Sequence, residues 1–164
     1  MATMERASGG RSSAPASKPA RILAVDYGRK RIGLALSDEL GLTAQPLETI
    51  TRVNRERDMK RLRETCRTHD VTHVIVGHPL HMTGEAGEMA DEAARFAARL
   101  GKATGIGVEL VDERLTSWEA ERTLAETHPR TRRKRKLTDD VAAAVLLRDY
   151  LEKTRGAAHS GERD

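Results

Sequence analysis

The feature that most constrains the fold is a pair of short apolar segments joined by only four residues. Residues 22–26 form an apolar run that ends in an acid, and residues 31–37 form a second run. The link over residues 27–30 is too short for a parallel crossover, so the two runs must pair as an antiparallel hairpin. A third extended segment follows near residues 46–51. The ordered part of the chain therefore begins with antiparallel strands.

Beyond this hairpin the hydrophobic pattern changes to that of helices alternating with single strands. Met59, Leu62 and Cys66 fall at helical spacing within residues 54–69. The unbroken apolar run over residues 71–76 is typical of a strand buried on both faces. The remaining predicted elements are a loop over 77–87, a helix over 88–100, a turn over 101–107, a strand over 108–111, and helices over 116–126 and 139–152.

This order of elements predicts an α/β fold with one mixed five-stranded sheet flanked by helices. Three antiparallel strands are extended by two parallel strands, and helices form the crossovers. We expect one domain over residues 20–153. The segments 1–19 and 154–164 are polar or rich in Ala, Ser, Gly and Pro, so we expect them to be flexible tails.

Composition limits the compartment and the partners. No apolar run approaches the about 18 residues of a spanning helix, and residues 1–20 lack the apolar middle of a secretory signal. We therefore expect a cytoplasmic protein that has no membrane partner. Only 2% of residues are aromatic, which argues against binding single-stranded bases on rows of aromatic rings. The net charge of +4 permits a polyanionic partner without proving one.

Acidic residues recur at the ends of predicted strands and at the start of the last helix. They are Asp26, Asp112, Glu113, Asp139 and Asp140. A single acid after a strand is usually a turn or cap residue. Several carboxylates that converge repel one another unless a cation neutralises them, and carboxylate oxygens suit Mg²⁺ or Mn²⁺. Two such ions together can promote hydrolysis of a phosphodiester. The six histidines and single cysteine show no zinc-ligand spacing.

Two glycines support a site near Asp26. Gly28 allows a sharp turn after the first strand, and Gly33 leaves a strand position without a side chain. Such a position permits close approach of a backbone or a ligand. A simple hairpin with a bulge explains the same spacing equally well.

A basic segment precedes the last helix. Six of its seven residues are Arg or Lys: Arg130, Arg132, Arg133, Lys134, Arg135 and Lys136. Charge runs are usually solvated loops, but the position beside Asp139 favours a role in holding a nucleic-acid backbone. Arg29, Lys30, Arg31 and Arg114 would extend this basic track.

Four segments in this order carry a family resemblance: ILAVDYGRKRIGLALSD, VIVGHPL followed by Met82 and Gly84, VDERLTSWEAERTL, and LTDDVAAAVLLRDYL. Together they resemble the YqgF/RuvX family over residues 21–153. The resemblance implies an RNase H-like fold related to the RuvC resolvase. It also implies that Asp26, Glu113 and Asp139 are the catalytic, metal-binding carboxylates, with Asp112 and Asp140 as candidate supporting ligands.

The sequence departs from the family pattern in the loop after the fourth strand. His78 stands where the family usually has Leu, and His81 stands where Asn is common. Either histidine could be a surface substitution. Alternatively, they contact phosphate or take part in proton transfer near neutral pH.

These observations favour a nuclease that depends on Mg²⁺ or Mn²⁺, with two ions expected. The resemblance implies a role in pre-16S rRNA 5′-end processing or in DNA recombination and repair. The alternative is a catalytically weak nucleic-acid-binding factor in ribosome maturation or transcription. An ATP-using relative of the actin-like type is disfavoured, because the chain lacks room for a second domain. Monomer and homodimer both stay open, as does the choice of RNA or DNA.

Overall fold

The computed structural model describes residues 20–79, 87–113 and 138–160, with side chains described as far as residue 156. The strands are β1 (Arg21–Tyr27), β2 (Arg31–Ser37), β3 (Ala44–Thr51), β4 (Val71–His78) and β5 (Gly107–Asp112). The helices are α1 (Arg55–Thr68), α2 (Glu88–Thr104) and α3 (Asp139–Ser160). Several predictions lie outside the described residues: the tail 1–19, the helix over 116–126, His81, Arg114, and the basic residues Arg130, Arg132, Arg133, Lys134, Arg135 and Lys136.

The strands form one five-stranded sheet in the order β3-β2-β1-β4-β5. The first two pairs, β3 with β2 and β2 with β1, are antiparallel, whereas β1 with β4 and β4 with β5 are parallel. The predicted mixed sheet is therefore confirmed. Because β1, β4 and β5 run in the same direction, their carboxyl ends meet at one edge of the sheet, where Asp26 and Asp112 lie.

Alternation along the strands divides the core into two layers. Leu23 and Val25 of β1 pack on the face covered by α1 and α2, around Phe96, which is 1% exposed. Ala24 of β1 packs on the opposite face with Ala143 and Leu147 of α3. Small residues on both partners allow α3 to lie close to the sheet. With so few aromatic residues, close contact among aliphatic side chains supplies the buried area.

Two helix ends differ from the prediction. We predicted that α2 ends at Leu100, but it runs to Thr104 and stops at Gly105, which takes a φ of +70°. The prediction took Gly101 as the residue that ends the helix, but the helix accommodates this glycine and continues past it. We predicted that α3 ends near residue 152, but it continues to Ser160. Nothing in the intervening sequence breaks a helix strongly, and Thr154 adds a side-chain hydrogen bond of 2.7 Å to the Tyr150 carbonyl.

Within the described ranges, none of the helices combines the length and the apolarity required to span a bilayer.

Cys66 is the single cysteine, and it lies buried in the layer between α1 and the sheet. Burial raises the pKa of its thiol to about 11. The thiolate fraction at pH 8 is therefore much smaller than for an ordinary cysteine, and thiolate is the reactive form.

We predict that iodoacetamide modifies the native protein at pH 8 at least about 100-fold more slowly than a free thiol, because both burial and the raised pKa suppress the reactive thiolate. The rate is measured by mass spectrometry with and without urea. Unfolding should restore ordinary reactivity. Fast labelling of the folded protein would contradict the packing of Cys66.

Candidate active site

Asp26 lies at the carboxyl end of β1 between two strand positions that carry no side chain. Its antiparallel partner in β2 is Gly33. On its other side, the parallel register with β4 ends at the pair Val25–Val76, so Gly77 is the next residue beside Asp26. Strand alternation places Asp26 on the face that α3 covers, together with Ala24. The two glycines thus leave no side chain of their own on either side of Asp26, and atoms of other residues occupy the space above them.

Asp139, the first residue of α3, occupies the space over Gly33. A methyl group built at Gly33 would overlap the backbone carbonyl of Asp139 and would lie 2.8 Å from its Cβ. A side chain at position 33 would therefore push the start of α3 away from the sheet. The prediction that Gly33 permits a close backbone approach is confirmed.

Glu113, which directly follows β5, occupies the space over Gly77. Its side chain is 5% exposed. A methyl group at Gly77 would overlap its carboxylate and would lie 3.1 Å from Cδ. This role of Gly77 was not predicted from the sequence. The available signal was its position at the end of β4, beside the strand that carries Asp26.

The structure therefore brings the three predicted acids to one face at one edge of the sheet. In the described ranges, no three His, Cys, Asp or Glu residues are arranged so that they could hold a metal ion directly. Asp139 Oδ2 accepts a hydrogen bond of 2.8 Å from Arg31 Nε. Arg31 was predicted to contact nucleic acid, and here its guanidinium pairs with a predicted metal ligand.

Asp112 and His78 lie on the other face of the sheet. They are register partners. Alternation along β5 places Asp112 with Val108, which packs against the α1–α2 layer. Asp112 is thus separated by the sheet from the face that carries Glu113, which does not favour it as a ligand of the same ion. Asp140 lies in the first turn of α3 beside Asp139.

The basic residues of the first hairpin have different surroundings. Arg29 binds Glu92 through Nε and through one terminal nitrogen at 2.8 Å, and lies 3.5 Å from Glu88. The hydrogen bond from Arg29 lowers the pKa of the Glu92 carboxyl. Arg29 therefore joins the hairpin to α2, whereas Lys30 is exposed at the turn.

A family model described as RuvX, Holliday junction resolvase, matches residues 20–153. The chain belongs to the RuvX family. The resemblance that the four sequence segments indicated is thereby confirmed. Membership in a nuclease family agrees with an acidic site at the edge of the sheet.

Curated relatives cover most of the same region. One from Syntrophus aciditrophicus is 44% identical over 80% of this chain and 88% of its own length. Another from Symbiobacterium thermophilum is 47% identical over 80% of this chain and 92% of its own length. Their names assign both of them provisionally as pre-16S rRNA nucleases.

A solved structure of RuvC from T. thermophilus in complex with a Holliday junction substrate has the same fold. It is 15% identical, covers 84% of this chain and 96% of its own, and has a TM-score of 0.54. The likeness confirms the predicted RNase H-like fold.

We predict that Gly33→Ala destabilises the protein by about 1–3 kcal/mol, because the added methyl overlaps backbone atoms of Asp139, and that Gly77→Ala destabilises it less, because the overlapped Glu113 carboxylate is the end of a flexible side chain. Gly156→Ala in α3 is the control, since a methyl group there meets nothing within 4 Å. Urea unfolding measures all three. The control should be neutral or stabilised by up to about 1 kcal/mol. Equal stability of all three variants would contradict the close contacts over Gly33 and Gly77.

Proposed function

We propose that this protein is a metal-dependent nuclease that hydrolyses phosphodiester bonds at the edge of the sheet around Asp26. The observation that carries the proposal is the pair of glycines that flank Asp26, with Asp139 seated over one and Glu113 over the other. Acids that served only as caps would not require glycine at the two strand positions beside Asp26.

The donor chemistry fits Mg²⁺ or Mn²⁺. Carboxylate oxygens are the hard ligands that these ions select. The Glu113 carboxylate occupies a cradle that a Cβ at Gly77 would fill, and it is held almost fully out of water. Asp26, Glu113 and Asp139 would hold the metal, with two ions expected. When bound, such ions lower the pKa of a coordinated water and stabilise charge on the phosphate oxygens.

The surrounding residues position these carboxylates. Contact over Gly33 fixes the backbone of Asp139 beside Asp26, and the buried side chain of Glu113 approaches from the opposite side. Arg31 holds the Asp139 carboxylate through an ion pair in which Arg31 is 57% exposed. Exposed ion pairs contribute only about 0–1 kcal/mol, so Asp139 can exchange this partner for another cation at small cost.

The substrate is nucleic acid on this proposal, and the names of the curated relatives favour ribosomal RNA. Processing of the 5′ end of pre-16S rRNA is therefore the leading role, and DNA recombination or repair is the other. The RuvC structure supports the second role, because that protein is bound to a Holliday junction. The predicted basic residues from Arg130 to Lys136 would hold the backbone.

A catalytically weak nucleic-acid-binding factor is the second candidate. Two observations favour it: the described residues hold no group of three side chains that could bind a metal ion, and Asp139 pairs with Arg31. The two candidates differ in whether the carboxylates are needed for cleavage or only for binding.

We predict that Asp26→Asn lowers cleavage by more than about 100-fold, since loss of residues that only support a ligand already costs about 10–100-fold. Cleavage is measured with Mg²⁺ or Mn²⁺ on three substrates: a pre-16S rRNA fragment, single-stranded DNA and a four-way junction. Binding without metal should change little.

The matched control is Asp70→Asn, an exposed acid at the opposite end of the sheet with a φ of +52° that asparagine also tolerates. It should cleave like the unmodified protein. Undiminished cleavage by Asp26→Asn, with contaminating nucleases excluded, refutes the assignment. If the unmodified protein binds but does not cleave any substrate, the second candidate is favoured.

A further inference from the structure

A second concave region lies at the same edge of the sheet but on the opposite face. This cleft, of about 380 Å³, is lined by Tyr27, Arg52, Arg55, Glu92, Arg95 and Arg99. We call it the arginine cleft. It lies between α1, α2 and the end of β1. Four of its six lining residues are arginines and one is an acid, so its charge is strongly positive.

One of these arginines forms the wall of the cleft. Arg52 Nε donates to Asp58, which is 3% exposed, over 3.0 Å. Its Nη1 donates to the Tyr27 hydroxyl over 3.0 Å and to the Gly28 carbonyl over 3.2 Å. Arg52 thus has its donors engaged by the protein and joins the end of β3 to the hairpin.

The other three arginines have no comparable partners. In the part of the chain that the structure describes, the side chains of Arg55, Arg95 and Arg99 make no hydrogen bond or ion pair within 4 Å, although the charge of Arg95 helps to lower the pKa of Glu92. Arg95 and Arg99 are four residues apart on α2, so they are neighbours on one helix face. Like charges at this spacing oppose helix formation, which means that folding alone does not favour the arrangement.

The cleft contains donors for phosphate but no surface for bases. Guanidinium groups match phosphate oxygens in bidentate geometry. Among the described residues, Tyr27 is the only aromatic side chain that lines the cleft. Its ring packs against Phe96 with centroids 4.9 Å apart and lies under Arg52 at 5.1 Å. The ring is therefore engaged in the protein interior. Contacts to the backbone, independent of base sequence, are what this surface provides.

Tyr27, which lines the cleft, directly follows Asp26 of the carboxylate site in the sequence. Because the two residues are consecutive in β1, their side chains point to opposite faces of the sheet. Their Cα atoms are about 3.8 Å apart. A polynucleotide that crosses this edge of the sheet to reach Asp26 would therefore pass the mouth of the cleft.

We propose that the arginine cleft binds the phosphate backbone of the nucleic acid that enters the carboxylate site, through Arg55, Arg95 and Arg99. The inference rests on the proposed function, since it assumes a polynucleotide at the edge of the sheet. The cleft contacts phosphates of the backbone that are distant from the cleaved bond. It thereby sets how the strand lies across Asp26.

The test compares the double variant Arg95→Ala, Arg99→Ala with a matched pair on α1. Arg63 and Arg67 have the same spacing and are exposed, as Arg95 is, but they line a separate cleft of about 410 Å³ with Asp70 and Ile106. The probes are a labelled single-stranded RNA and a labelled four-way DNA junction. Affinity is measured against KCl concentration in EDTA, so that no metal-dependent cleavage occurs.

For the RNA, each lost phosphate contact reduces the slope of log affinity against log salt by about 0.7. We expect the Arg95, Arg99 variant to lose about 1.4 from this slope and to bind at least about 10-fold more weakly at low salt. The Arg63, Arg67 variant should keep the slope. Arg95→Lys with Arg99→Lys should also keep it, because charge is retained. The thermal midpoints of all variants are measured to show that each is folded.

The outcomes separate this inference from the proposed function. An unchanged slope in the Arg95, Arg99 variant overturns the inference, while Asp26-dependent cleavage by the unmodified protein leaves the proposed function standing. Equal losses in the two arginine pairs also overturn it, since they indicate a general charge effect. If the unmodified protein neither binds nor cleaves either probe, both proposals fail.

Discussion

The packing of α3 against the sheet at Gly33 is the contact on which the candidate site depends. Because position 33 has no side chain, the backbone of Asp139 rests directly over the strand beside Asp26. The same helix buries Ala143, Leu146 and Leu147 against the sheet, so the position of its first residue follows from the packing of the rest. Because this layer is rigid and close-packed, a methyl group added at position 33 would displace the start of α3. Stability and site geometry are therefore set by the same contact.

Because side chains alternate along β1, consecutive residues place a candidate site residue on one face of the sheet and packing residues on the other. Asp26 faces α3, whereas Val25 packs into the layer beneath α1 and α2 and Tyr27 packs against its edge. Glycine at 33 and 77 keeps the α3 face clear where the acids meet. On the other face, the ion pair between the buried Asp58 and the partly buried Arg52 closes the end of β3 against the hairpin. Removing Arg52 would leave the buried Asp58 carboxylate without its charged partner, which is unfavourable.

Much of the fold was predictable because it depends on local patterns. The four-residue link required the hairpin, and the apolar run before Gly77 required a central strand. Acids at strand and helix ends indicated a possible meeting point at one edge, and the family resemblance implied that the three acids are Asp26, Glu113 and Asp139. The seating of Glu113 over Gly77 was not predicted, because it depends on how β4 and β5 align across the sheet. The end of α2 was missed because a helix tolerates a glycine such as Gly101, and helix propensity does not indicate which of several glycines ends the helix. The end of α3 was missed because no residue after position 152 breaks a helix strongly.

Arginine charge alone did not predict which residues are available to a polyanion. Arg29 and Arg31 were predicted to contact nucleic acid, yet in the structure they pair with Glu92 and Asp139. An arginine that is already in an ion pair must break that contact before it binds phosphate. An arginine without an ion pair loses only the conformational entropy of its side chain. This difference favours Arg95 and Arg99 as backbone contacts over Arg29 and Arg31, although the four residues carry the same charge.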